Sequence, residues 1–183
     1  MEKRIYLVRH CQAEGQPPES QLTVEGIKQA EELATFLSLF KVDRIISSPY
    51  LRAVETIKPF SQKTMIEIET DERLAERLLS VSSMPDWFEK LKMTFSDMEL
   101  KYEGGESSKE AMDRIVQVVN EWIGSDAQSS VIVTHGNLMA LLLNFYNQTF
   151  GFDEWQQLSN PDVFRLYFKN NEVHFDRIWE KNY

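Results

Sequence analysis

The sequence predicts an α/β domain, and three observations carry that prediction. Short β-branched and aromatic runs alternate with segments of helical period. The strongest of the short runs, Val131-Ile132-Val133-Thr134, is followed at once by His135-Gly136 and a helix-period stretch, as when a buried strand feeds a helix. At 183 residues the chain matches one domain, able to bury roughly 70% of its unfolded surface without disulfide staples.

In chain order, Ile5-Tyr6-Leu7-Val8 reads as a fully buried first strand. A loop bearing Gly15, Pro17 and Pro18 follows. Thr23 then caps a helix whose apolar positions Ile27, Ala30, Leu33, Ala34 and Leu37 recur at helical spacing. Val42 to Ser47 contains the second strand. Ser48-Pro49 reads as a cap followed by proline at the first helical position, opening a helix to about Phe60. Ile66 to Ile68 makes a short strand. From Leu78 to Glu103 the alternation stops, and Trp87, Phe88, Leu91 and Phe95 predict one amphipathic helix between polar loops. This segment is expected to be a cap insertion over about residues 78–106. Gly104-Gly105 interrupts the chain, and Ser107 with Glu110 forms a capping box for a helix to about Ile123. After the Val131 strand a helix runs through Leu143. Val163 to Phe168 and Val173 to Trp179, separated by Lys169-Asn170-Asn171-Glu172, predict a terminal hairpin. With neither repeat nor polar linker, residues 1–183 are expected to form a single domain.

Composition narrows the function. Twenty Lys+Arg against 29 Asp+Glu give a net charge of −9, which argues against nucleic acid or an anionic membrane as the partner. The single cysteine excludes an intrachain disulfide and suits a reducing compartment. The N-terminal apolar stretch is too short for a signal-peptide core, and Leu138 to Leu143 falls far short of a membrane span. These features predict a cytoplasmic protein, and they carry no signal for oligomeric state.

The chemistry is expected where ligands bind α/β sheets, outside the carboxyl ends of the strands. Arg9-His10 follows the first strand, Arg52 lies one turn into the helix after the second, and His135 follows the strongest. Each has an ordinary structural reading alone, as a capping or solvated residue, but nothing in helix packing asks for all of them at three strand ends. His174, in the hairpin without polar company, keeps its structural reading. Guanidinium forks match phosphate oxygens, and a neutral imidazole attacks phosphorus. The histidines lack the spacing of a metal site, and the neighbouring arginines would repel a cation. His10-Cys11 begins like the H-C-x5-R signature of cysteine phosphatases, but Pro17 stands where the arginine is needed and Glu14 lies inside the would-be phosphate loop. Cys11 therefore reads as a small loop residue, its thiol open to acidification by the cationic site.

Together these residues form a pattern. Leu7-Val8-Arg9-His10, Leu22-Thr23-x-x-Gly26-x-x-Gln29-Ala30, Ser47-Ser48-Pro49-x-x-Arg52-Ala53-x-x-Thr56, Leu74-Ala75-Glu76, Gly104-Gly105-Glu106-Ser107 and Val133-Thr134-His135-Gly136 occur in order. The set resembles the histidine phosphatase superfamily, the phosphoglycerate mutase-like proteins. The resemblance implies a three-layer α/β/α sandwich with a mostly parallel sheet. It implies a phosphomonoester hydrolase acting on a small phosphorylated metabolite, with no metal and no cofactor. His10 would be the nucleophile, Arg9, Arg52 and His135 would hold the phosphoryl oxygens, and Gln16 and Gly136 would complete the phosphate site. Glu76 would protonate the leaving oxygen and then activate water, tuned for that work by partial burial under the cap.

The sequence departs from the family pattern at Cys11 in place of the usual glycine, Gln12 in place of glutamate and Gln16 in place of a phosphate-contacting asparagine. If position 11 required positive φ, cysteine would be strained there. Mutases of the family are longer and close the site with a C-terminal segment, whereas this chain ends at Tyr183 after the hairpin, so hydrolysis is the expectation. Phosphoglycerate mutase activity and a non-catalytic phospholigand-binding module are the alternatives.

Overall fold

A computed structural model describes residues 2–179. The strands are β1 (Lys3–Arg9), β2 (Arg44–Ser47), β3 (Ile68–Thr70), β4 (Ser129–Thr134), β5 (Asp162–Lys169) and β6 (Glu172–Arg177). They form a six-stranded sheet in the order β3-β2-β4-β1-β5-β6. The first four positions pair in parallel, and β5 and β6 add an antiparallel edge. The sheet is therefore mixed and mostly parallel, as expected.

Alternation along β1 sorts its side chains between two cores. Ile5 and Leu7 face one layer, with α4 (Ser108–Ile123) and α5 (Gly136–Tyr146) contributing Ile115, Val119, Trp122 and Leu138. Tyr6 and Val8 face the other, where α1 (Val24–Leu37) and α2 (Leu51–Thr64) supply Leu33, Leu37, Ile57 and Phe60. Every one of these side chains is buried. Helices on both faces make the three-layer arrangement.

The expected caps at Thr23 and Ser107 are present. Thr23 Oγ1 accepts from Gly26 N at 2.9 Å, and Ser107 with Glu110 forms the reciprocal box. Gly26 tolerates no side chain, because a Cβ there would lie 2.0 Å from Gln12 O. The close approach joins the loop after β1 to the start of α1, where Gln29 also accepts from Gln12 N.

Several boundaries differ from the sequence reading. The second helix begins at Leu51 with Tyr50 as an N-cap lacking a side-chain bond, so Ser48 does not cap it and Pro49 precedes it. It continues past Pro59 to Thr64, where Met65 closes it with φ 59°. The third strand is Ile68–Thr70, not Ile66–Ile68, and β6 ends at Arg177 before Trp179. A five-residue helix, α6 (Phe152–Gln156), was not expected from the sequence. The insertion holds α3 (Trp87–Ser96), whose Leu91 and Thr94 are buried while Trp87 is 50% exposed. Phe88 and Phe95 of α3 pack edge-on against Phe152 of α6, at 5.3 and 5.8 Å between centroids.

Candidate active site

Strand register assembles the site. Arg9 at the end of β1 is level with Thr134 at the end of β4, and Ser47 of β2 is level with Val133. The residues just beyond, His10, Ser48 and His135, therefore emerge together at one sheet edge. Strand β5 runs the opposite way, so Asp162 at its start is level with Arg9 and the preceding loop lies over the same edge.

His10 and His135 meet with ring centroids 5.1 Å apart. His10 Nδ1 lies 2.7 Å from Cys11 O, a carbonyl that only accepts, so Nδ1 carries the hydrogen. That leaves Nε2 as the basic nitrogen, and Arg52 Nε donates to it at 3.3 Å. Burial, with Arg52 and Arg9 beside it, brings the His10 pKa down to about 3. The imidazole is thus neutral at physiological pH with its free lone pair inside the pocket. The 10–11 peptide is tied down by Asn160 Nδ2 on His10 O (2.8 Å) and by Cys11 N on Thr56 Oγ1 (2.9 Å).

Arg52 is almost completely buried, and its Nη1 donates to Gln16 O and Pro17 O, both at 2.9 Å. The Gln16 side chain is exposed, and its main-chain carbonyl is one of the acceptors that hold Arg52. Arg9 Nη1 donates to Leu158 O at 3.2 Å, while its buried Nε has no partner among the described residues. Burial pulls the pKa of both guanidiniums below the usual arginine value. Two desolvated cations and an unpaired N–H suit an anion with several acceptor oxygens. Gly136 lets Arg9 lie flat against the start of α5, since a Cβ there would meet Arg9 Cζ at 2.9 Å.

Glu76 is half-buried, and its charge is felt by both Arg9 and Arg52. Its carboxylate accepts from Arg77 N at 2.8 Å, Leu138 N at 3.0 Å and Asn137 N at 3.1 Å, so it sits on the first turn of α5. Arg114 holds the surrounding backbone, donating to Arg73 O and Glu76 O and pairing with Glu106 at 2.7 Å. Arg77 is buried and donates to Glu106 O, which fastens the far end of the cap to the same point.

The structure thus brings Arg9, His10, Arg52, Glu76, His135 and Gly136 to one edge. It corrects the expectation for Cys11: the thiol is fully buried, and burial pushes its pKa up to about 12, so it is not acidified. Nor is the residue strained, because the positive-φ positions among the described residues are Met65, Gly104, Asn170 and Asn171. His174 is exposed beside Glu172, away from the pocket. Sequence reasoning missed Ser48, whose Oγ lies 2.8 Å from His135 Nε2, and Asn160. The doubled serine before Pro49 was a visible signal for the first; nothing local marks the second.

The chain belongs to the histidine phosphatase superfamily (branch 1), whose profile matches residues 5–181, and that membership makes it a phosphomonoesterase of the phosphoglycerate mutase-like type. A Hydrogenobacter thermophilus protein provisionally assigned as phosphoserine phosphatase 2 is 30% identical over 153 residues, 75% of each chain. A mycobacterial glucosyl-3-phosphoglycerate phosphatase superposes with a TM-score of 0.78 over 97% of both chains at 22% identity. A phosphoglycerate mutase from Bacillus anthracis does so with a TM-score of 0.73 at 15% identity, covering 97% of this chain and 92% of its own. At these identities the two structures share the fold.

Proposed function

We propose that the protein hydrolyses small phosphomonoesters through a phosphohistidine on His10. The observation that carries this reading is the state of His10: neutral, hydrogen on Nδ1, with Nε2 against the guanidinium of Arg52. In the first half-reaction Nε2 attacks phosphorus, the ester P–O bond breaks, and Glu76 gives its proton to the leaving oxygen. In the second, Glu76 takes a proton from water, the water oxygen attacks phosphorus, and the P–N bond breaks to release phosphate. Arg9, Arg52 and His135 hold the equatorial oxygens in both halves, since phosphoryl transfer depends mainly on positioning and charge stabilisation.

The relatives' names support a small phosphorylated metabolite, as they span an amino acid phosphate and a sugar-bearing phosphoglycerate. The acidic chain opposes polyanions, while the local cationic pocket accepts one phosphoryl group.

The test is an acid-labile phosphoenzyme, trapped by rapid quench and located on His10 by mass spectrometry, alongside phosphate release from a phosphomonoester panel. His10→Ala should abolish the adduct and reduce turnover by at least about a thousandfold, in line with loss of a covalent nucleophile. Isomerisation of a phosphoglycerate without net phosphate release would replace hydrolysis by mutase activity. Phosphate or vanadate binding with no adduct would make the protein a binding module.

A further inference from the structure

Ser48 is fully buried at the end of β2, and the mechanism above gives it no task. Its Oγ accepts from Tyr50 N at 3.3 Å and lies 2.8 Å from His135 Nε2. His135 is itself fully buried, and burial, with the charge of Arg52 nearby, holds its pKa well below 6.5, so the ring carries one proton. That proton resides on Nε2 or on Nδ1, and the hydroxyl decides which. A buried hydroxyl hydrogen without an acceptor costs about 1–3 kcal/mol. Among the described residues, His135 Nε2 is the acceptor in hydrogen-bond contact with Ser48 Oγ. If Nε2 carried the proton, two donors would converge on Ser48 Oγ and its own hydrogen would be stranded. With the proton on Nδ1, the hydroxyl donates to Nε2 and both groups are satisfied on that side. Nδ1 is then a buried N–H with no partner among the described residues, on a ring 5.1 Å from that of His10.

We propose that Ser48 is a positioning residue: its hydroxyl donates to His135 Nε2 and so fixes the tautomer that offers Nδ1–H to the phosphoryl oxygens. The inference rests on the phosphohistidine reading for its catalytic meaning. The opposite tautomer would present a lone pair to an anionic oxygen, replacing attraction by repulsion at the atom that gains charge.

The tautomer is read from ¹⁵N shifts and couplings of the imidazoles in the labelled protein, and His135→Asn assigns the ring. The native spectrum should show Nδ1 protonated and Nε2 bare. Ser48→Ala should populate the opposite tautomer and lower kcat/KM for p-nitrophenyl phosphate by roughly tenfold or more, the scale of losing a hydrogen bond that orients a reacting imidazole. Ser48→Thr, which keeps the hydroxyl, should restore both. A native ring protonated on Nε2, or an alanine variant whose tautomer or turnover matches the native protein, overturns the proposal. The native spectrum needs no variant, so an alanine variant that fails to fold does not remove the test. A native ring protonated on Nδ1 in a protein forming no phosphoenzyme would support the serine's control of the tautomer and overturn the hydrolysis mechanism instead.

Discussion

Glu76 is held by three backbone N–H groups, two of them from the first turn of α5. We propose this carboxyl as the group that acts on the leaving oxygen, and the effect of its loss should depend on the substrate. We expect Glu76→Gln to slow alkyl phosphate hydrolysis by about 100-fold or more, the usual scale of general acid catalysis. A phenolic ester, whose leaving group needs no proton, should lose far less. Equal losses on both substrates would remove Glu76 from the acid role. Arg9, His10, Arg52 and His135 were legible in the sequence because each follows a strand whose apolar run is unmistakable, and parallel register does the rest. Ser48 and Asn160 were not, because their partners lie 87 and 150 residues away along the chain. Gln16 was legible as a position, and the bond of its carbonyl to Arg52 was not, because backbone contacts leave no mark in the sequence.

The segment before β5 shows how one element supports another. Leu158 O receives Arg9, and Asn160 receives the carbonyl of His10 as acceptor for its own amide. The segment is anchored by Asp162, fully buried, which accepts from Ser159 N at 2.8 Å and pairs with Arg177 at 2.6 Å. Asp162→Ala removes the acceptor of the buried Ser159 amide and one partner of Arg177, whose guanidinium keeps Gln157 O and Ser159 Oγ, a change of up to about 3 kcal/mol. That should lower Tm by roughly 10 °C for a chain of this size and weaken phosphate binding through Arg9. Adding Arg177→Met should recover part of the stability, and thermal denaturation of both variants checks this. If the double variant is the less stable, the pair is not the anchor. Long periodic helices and apolar strands were legible, whereas α6 was not, because five residues give too little periodicity to register. The start of α2 was misjudged because a serine before proline is an equally good cap on paper, and only the fold reveals that His135 engages its hydroxyl.

The molecule as a whole carries two imidazoles that are neutral when folded and ordinary when unfolded. Both titrate near 6.5 in the unfolded chain, and in the fold His10 falls to about 3 while His135 is lowered well below 6.5. As pH drops below 6.5 the unfolded chain takes up protons that the fold refuses, so stability present above that pH is progressively lost. Each histidine contributes up to about 1.4 kcal/mol per pH unit in that window. Thermal melts between pH 7 and 5 should show a steep fall for the native protein and a shallower one for His10→Asn; equal slopes would contradict the buried neutral state. The three-layer fold was readable from strand and helix patterns, and its two cores follow from simple alternation along β1.

The cap is fastened to the rest of the molecule at its base, where Arg77 and Arg114 both hold Glu106, and along α3, through the aromatic contacts with α6. Neither fastening includes Arg9, His10, Arg52 or His135, which emerge from the sheet edge and the helix beside it. We expect the two ends of a bound ester to answer to different parts of the chain. On that expectation the sheet edge governs how phosphorus reacts, and the cap governs which alcohol comes with it. Changes within residues 78–106 should then alter the preferred alcohol while the groups at the sheet edge stay in place.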